Sequence, residues 1–265
     1  MNIEKLQLSC ALVACDDNGL YIDFWPYVKK TWNNIVGIPV KLIFISEEIP
    51  EIYKNDSDII LFKPSWFNKP IHTAFIAQCI RLLYPALMKE YDGGIIISDM
   101  DMIPMNKIFY HDNIKTIDKN KFVNYTNYIV VLENEYPMCY NIATCDVWSD
   151  IFSVNNVKDI VDTLENLYDS ITYTGIPGDI GWNIDQRYLF NKVNYWNKKT
   201  NRLILLNGST GFVRLDRGAS DITNLSDYKK KLIKDHYFAD YHMLRPYNLY
   251  KTINDEILDL VLSKN

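Results

Sequence analysis

The chain has 265 residues, long enough for one large domain or two small ones with a sizeable buried core. Its balance of 48% hydrophobic and 23% charged residues is ordinary for a globular protein, and a net charge of −5 excludes the basic surface of a general nucleic-acid binder. No apolar run approaches the roughly 20 residues of a membrane span, and the opening Met1–Lys5 lacks the basic and apolar regions of a signal peptide. The expectation is a cytoplasmic protein with no membrane span and no nucleic-acid partner. Five cysteines, an odd number without zinc-type spacing, read as free buried thiols.

Leu6 to Ala14 is apolar and strand-like and ends in the turn cluster Cys15-Asp16-Asp17-Asn18-Gly19. Phe24, Val28, Trp32 and Ile35 then recur at helical spacing, with Asp23 as cap and Pro26 in the first turn. Val40 to Ile45 and Ile59 to Phe62 are short strands, so strand, helix and strand follow in the order of a parallel crossover. The spacing predicts a second helix from Thr73, broken near Pro85, feeding the Gly93-Gly94 turn and the strand Ile95-Ile96-Ile97. Residues 1–105 thus read as an open α/β half whose ligand crevice lies at the strand carboxyl ends. Residues 106–250 form a less regular second half, and 251–265 a closing helix carried by Ile253, Ile257, Leu260 and Val261. In that second half, Phe122 to Tyr125, Ile129 to Leu132 and Leu203 to Leu206 read as strands. Cys145 to Phe152 and Val157 to Tyr168 read as helices, and Trp182 to Arg187 opens another short one. The whole is expected to be a single α/β domain with a mixed, mostly parallel central sheet flanked by helices.

Two carboxylates, Asp99 and Asp101, arrive where the strand Ile95-Ile96-Ile97 runs out. In an extended segment they share one face, and like charges so close call for a proton, a cation or an arginine between them. A divalent ion on oxygen ligands answers that need, and a solvated turn answers it equally. Three other stretches reach the same rim. Asp16 and Asp17 follow the first strand, where a carboxylate can accept hydrogen bonds from a base or ribose, or merely favour a turn. Arg81 sits in an apolar helix and needs a partner, which Asp99 or a phosphate would supply. His236, His242 and Arg245 stand near the C-terminus, where an imidazole can complete a coordination sphere and a guanidinium can address phosphate.

These residues carry a resemblance. Val13-Ala14-Cys15-Asp16-Asp17-Asn18 with Tyr21, Arg81 in its helix, Asp99-Met100-Asp101, Cys139-Tyr140-Asn141-Ile142-Ala143 and Asp185-Gln186 together resemble glycosyltransferases of the GT-A fold. The pattern is most similar to family 8, the glycogenin and bacterial galactosyltransferase group, and to small viral GT-A enzymes. It extends from Leu6 to about Pro246. The resemblance implies a metal-dependent transfer of a sugar from a nucleotide-diphosphate donor, most readily a UDP-sugar, to a hydroxyl of a glycan or other acceptor. It implies Mn²⁺ or Mg²⁺ on Asp99, Asp101 and His242, which it favours over His236. Donor contacts would come from Ala14, Asp16, Asp17, Tyr21, Arg81, Asp99, Asn141 and Arg245, with Asp185 and Gln186 at the reacting carbon. The family's late H-x-x-G-x-x-K-P-W is only approximated by His242-Met243-Leu244-Arg245-Pro246-Tyr247. Ile142 and Thr144 replace its Ala and Gly, so the donor-sugar pocket should differ.

Two other functions fit an α/β chain with paired aspartates. A nucleotidyltransferase would want a Gly-rich basic loop after strand one, and Asp16-Asp17-Asn18-Gly19 is acidic instead. A carbohydrate-binding protein without catalysis would have no need of the Asp pair, Arg81 and Asp185-Gln186.

Overall fold

The structure, a computed structural model, describes residues 4–125, 134–206 and 210–263. Its elements run β1 (Leu8–Asp16), α1 (Trp25–Thr31), β2 (Val40–Ile45), β3 (Ile59–Phe62), α2 (Thr73–Leu83), β4 (Gly94–Ile97), β5 (Met102–Pro104), α3 (Lys107–Asp112) and β6 (Phe122–Asn124). They continue with β7 (Asn141–Thr144), α4 (Cys145–Phe152), α5 (Val157–Asp169), α6 (Ile184–Thr200), β8 (Leu203–Leu205), β9 (Arg214–Leu215), α7 (Asp227–Lys234), β10 (Asp240–His242) and α8 (Lys251–Leu262). Ile129–Leu132, expected as a strand, lies outside the described residues.

Seven strands form one sheet in the order β3-β2-β1-β4-β7-β6-β8. Parallel pairing joins β3, β2, β1 and β4, while β7 runs antiparallel between β4 and β6. The two expected halves therefore share a single sheet. Strand β1 is a near-continuous apolar run because helices cover both of its faces. Ala11, Val13 and Cys15 pack to one side, with α1 and α8, and Cys10, Leu12 and Ala14 to the other, with α2, α4, α5 and α6. This is a single α/β domain with a mostly parallel central sheet between two helical layers.

Three expectations are corrected. The first helix begins at Trp25 with Phe24 at its cap position, and Asp23, expected as the cap, lies in a preceding 3-10 turn. That helix widens over Trp32–Val36, where the Gly37 amide donates to the Trp32 carbonyl five residues back. The helix opened by Trp182–Arg187 is not short: α6 has 17 residues, because Leu189, Val193 and Trp196 carry its buried face onward. The aspartate segment is not one extended strand. After Ile97 the chain turns, the Met102 amide donates to the Asp99 carbonyl, and β5 enters a second, three-stranded sheet of order β5-β10-β9. Pro104 closes β5 opposite Asp240.

The Gly93-Gly94 pair marks a close approach and not a free turn. The Gly94 amide donates to the Gln7 carbonyl at 2.7 Å, and a Cβ on Gly93 would fall 2.5 Å from that same backbone oxygen. Gly93→Ala should therefore destabilise the protein by about 1–3 kcal/mol through overpacking at the head of β1. Urea unfolding checks this, and an unchanged midpoint would show that the strand edge yields without cost.

Candidate functional site

A cleft of about 350 Å³ opens at the carboxyl ends of β1 and β4, where open α/β sheets place their ligands. Ala14, Cys15 and Asp16 from β1 line one end, with Tyr21 beyond them, and Ala74, Ala77, Gln78 and Arg81 of α2 form a wall. Asp16 is buried and accepts the Thr73 hydroxyl at 2.8 Å, which ties the strand end to the first residue of α2.

Arg81 lies in the last turn of α2, on the face that packs against the sheet, and is 6% exposed. Its Nη1 donates to the Ser98 carbonyl at 3.0 Å and to the Asp99 carboxylate, and its Nη2 stands 3.5 Å from Asp185 Oδ2. The guanidinium thus bridges the end of β4 and the start of α6. Its Nε is buried and has no hydrogen-bond partner among the described residues. Burial opposes the charge of Asp99, but Arg81 outweighs it and holds the carboxyl below its ordinary value. The Cys139 thiol also donates to Asp99 Oδ2, and the Asp99 amide donates back to the sulfur, both at 3.1 Å. For Asp185 the balance reverses. Burial pushes its carboxyl up to about 7, with Arg81 opposing and Asp99 reinforcing the rise.

Asp101 faces a different set of groups. The antiparallel register of β5 and β10 places His242 opposite Met102, so a residue 141 positions later in the chain meets the aspartate turn. His242 Nε2 lies 3.3 Å from Asp101 Oδ2, Arg217 Nη1 donates to the same oxygen at 2.7 Å, and Arg245 Nη1 stands 3.5 Å away. Burial again opposes the charge, but His242 and Arg217 hold the Asp101 carboxyl well below the usual range. The other imidazole nitrogen, Nδ1, is 3.2 Å from Asp216 Oδ2. Arg245 also donates to the Tyr21 hydroxyl and packs over its ring, joining the end of the last strand to the segment after β1. Arg214 lines the same wall but is locked behind it: its fork grips Asp240 at 2.8 and 2.9 Å, and Asp240 accepts the Tyr140 hydroxyl at 2.7 Å.

Most of the expected residues meet here: Ala14, Asp16, Tyr21, Arg81, Asp99, Asp101, Asp185, Gln186, His242 and Arg245 all line the cleft. Three expected residues do not. Asp17 is exposed past the end of β1, outside the lining. Asn141 is fully buried because β7 is an inner strand; its amide donates to the Pro137 and Met138 carbonyls and accepts from Asn124, so it braces a turn that lines the cleft. His236 donates from Nδ1 to the Met105 carbonyl and is not part of the wall. Four residues that sequence reasoning passed over are Cys139, Arg214, Asp216 and Arg217. Arg214 lies in the two-residue strand β9, and Asp216 and Arg217 in the turn that follows it.

The expected ion set is assembled only in part. Among the described residues no three His, Cys, Asp or Glu side chains gather as a metal site. Asp101 Oδ2 and His242 Nε2 do fit: adjacent ligands at ~2.1 Å from an octahedral ion stand ~3 Å apart, close to the 3.3 Å between them. Asp99 is turned toward Arg81 and Cys139 instead.

No protein-family model matches the sequence, and no curated protein matches it. Solved structures show a distant likeness. The bifunctional glycosyltransferase WbbM is 14% identical with a TM-score of 0.44, over 95% of this chain and 50% of that one. The glycosyltransferase GlyE of Streptococcus pneumoniae TIGR4 is 11% identical with a TM-score of 0.44, over 97% and 63%. A glycosyltransferase involved in glycosylation of the major capsid of PBCV-1 is 9% identical with a TM-score of 0.40, over 94% and 98%. The chain thus spans about half of WbbM and less than two thirds of GlyE. Likenesses this distant leave the chemistry of the cleft to be read from its own residues.

Because Arg81 is the shared partner of Asp99 and Asp185, Arg81→Ala should cost roughly 3–5 kcal/mol by leaving charge buried without compensation. Urea unfolding at pH 8, where both carboxyls are ionised in the wild type, measures the loss. A loss below about 1 kcal/mol, the worth of a surface pair, would remove the bridging role.

Proposed function

We propose that this cleft binds a nucleotide-diphosphate sugar and transfers its sugar to an acceptor hydroxyl, most readily from a UDP-sugar to a glycan. The observation that carries the reading is the division of charge in the cleft. Arg81, Arg217, Arg245 and His242 stand around Asp99 and Asp101, while the one carboxyl raised toward neutrality, Asp185, stands beside Arg81 at the start of α6. A diphosphate leaving group needs fixed positive charge where its own negative charge develops, and the guanidinium groups supply it. The sequence resemblance to GT-A glycosyltransferases points the same way.

Asp16, with Ala14 and Tyr21, would hold the nucleoside at the end of β1, where the Asp16 carboxylate is already oriented by Thr73. Asp101 and His242 would hold Mn²⁺ or Mg²⁺, which when bound acts as a Lewis acid on the diphosphate. Arg81, with Arg245, keeps positive charge beside the departing phosphate oxygens. In the transfer, the bond between the anomeric carbon and the diphosphate oxygen breaks and a bond from the acceptor oxygen forms. The acceptor proton passes to Asp185, and the diphosphate leaves with the bonding electrons. Gln186 lines the cleft next to Asp185 and would orient the hydroxyls.

Two measurements test this. In a thermal-shift screen, UDP or GDP should stabilise the protein more with Mn²⁺ than without, since a ligand of the folded state raises its stability. Asp101→Asn should abolish that metal-linked increment without unfolding the protein. No nucleotide-dependent shift under any metal condition would sink the donor-site reading.

The second concerns Asp185. A base must be ionised, so turnover should rise with pH and level off above about 7, and Asp185→Asn should lose that limb with nearly all activity. Stability carries the opposite sign. The folded state holds a proton on Asp185 that the unfolded state has released, so wild-type stability falls as pH rises from the ordinary carboxyl range to about 7. The melting temperature of Asp185→Asn minus that of wild type should therefore become more positive from pH 5 to pH 8. A difference independent of pH would contradict the raised carboxyl.

A further inference from the structure

Arg217 is the least anchored cation in the cleft. Arg81 is buried between two carboxylates, Arg214 is gripped by both oxygens of Asp240, and Arg245 is held by the ring and hydroxyl of Tyr21. Arg217 makes one good contact, Nη1 to Asp101 Oδ2 at 2.7 Å, and a marginal one to the Met243 carbonyl at 3.4 Å. The described residues give its Nε and Nη2 no partner, and a quarter of the side chain is exposed, 24%. The backbone beneath it is fixed. Asp216 Oδ1 accepts the Gly218 amide at 2.7 Å, and Asp216 Oδ2 faces His242 Nδ1, so the turn is pinned while the side chain it carries is free to swing.

The same oxygen that Arg217 occupies is the one that faces His242 Nε2. An ion bound to that oxygen at ~2.1 Å would compete with a guanidinium nitrogen only 2.7 Å from it, since both are cations seeking the same lone pairs. A guanidinium released from Asp101 has a natural second partner in a diphosphate, whose oxygens match its planar fork.

We propose that Arg217 is an exchangeable counter-cation: it neutralises Asp101 in the empty cleft and moves onto the donor diphosphate when a divalent ion takes the carboxylate. The inference rests on the donor-site reading above and adds to it a residue that links the two binding events. Arg217 competes with the metal alone and cooperates with the metal–nucleotide pair. Metal and nucleotide should therefore each bind better in the presence of the other, and part of that coupling should run through this one side chain.

The test compares wild type, Arg217→Gln and Arg217→Lys by direct titration, without turnover. With Mn²⁺ alone, followed by the electron paramagnetic resonance signal of the free ion, Arg217→Gln should bind roughly threefold to tenfold more tightly than wild type, because a partly exposed competing ion pair is gone. With saturating Mn²⁺, the same variant should bind UDP or GDP, whichever the wild type prefers, roughly tenfold more weakly, because a charge-assisted contact is lost. Arg217→Lys, which keeps the charge without the fork, should bind Mn²⁺ as wild type does and fall between the two for nucleotide. The opposite signs separate exchange from damage to the fold, which would weaken both. Equal or weaker Mn²⁺ binding by Arg217→Gln, with nucleotide binding intact, overturns the exchange and leaves the donor site standing. Absence of Mn²⁺ and nucleotide binding in all three proteins overturns both.

Discussion

The buried guanidinium of Arg81 is the constraint on which the cleft depends. It is too far from water to be left alone, and the groups that satisfy it come from separate parts of the chain: the Ser98 carbonyl and Asp99 after β4, and Asp185 at the head of α6. Each carboxylate is in turn too buried or too crowded to be stable without it. The arrangement leaves the two acids in different states, Asp99 held ionised and Asp185 raised toward neutrality. One cation shared between two acids yields one fixed charge and one titratable group.

Asp101 solves the same problem by another route. Separated from Asp99 by a turn, it takes its partners from the small sheet and its loops: His242, Arg217 and Arg245. The turn through Asp99-Met100-Asp101 thus sends two neighbouring carboxylates to different partners in one cleft. A strictly extended strand would have left them facing the same way, competing for one cation.

Much of this was legible in the sequence. The apolar runs of β1 to β4 and the periodicity of α2, α4, α5 and α8 are local signals, and they located those elements within a residue or two. Asp16, Asp99 and Asp101 could be brought to one rim because a doubly wound sheet puts its strand ends there, and Arg81 because its helix precedes them, whereas Asp185 and the choice of His242 came from the resemblance to GT-A glycosyltransferases. What was not legible depends on pairings distant in sequence. The sheet β5-β10-β9 is made of strands two or three residues long, too short to carry a period. Arg217 reaches the cleft, and Asp216 reaches His242, because β9 and β10 lie side by side. Asn141 failed as a cleft residue for a related reason: an inner antiparallel strand directs side chains into covered layers, which its sequence motif does not reveal. Cys139 stood in a recognised stretch without a role, since a lone thiol reads as core until its neighbour Asp99 is seen.

The register of β10 against β5 has a further consequence for how the protein is made. Residues up to Asp101 supply the first sheet strands and the Arg81–Asp99 pair, but the groups that answer Asp101 follow much later, at 217, 242 and 245. A chain emerging from the ribosome can assemble the parallel strands while Asp101 still waits for a counter-charge. The set of partners around Asp101 is therefore completed late in synthesis, when Asp240–His242 docks between β5 and β9. Nascent chains shorter than this would carry an acidic rim still lacking the cations at 217 and 245.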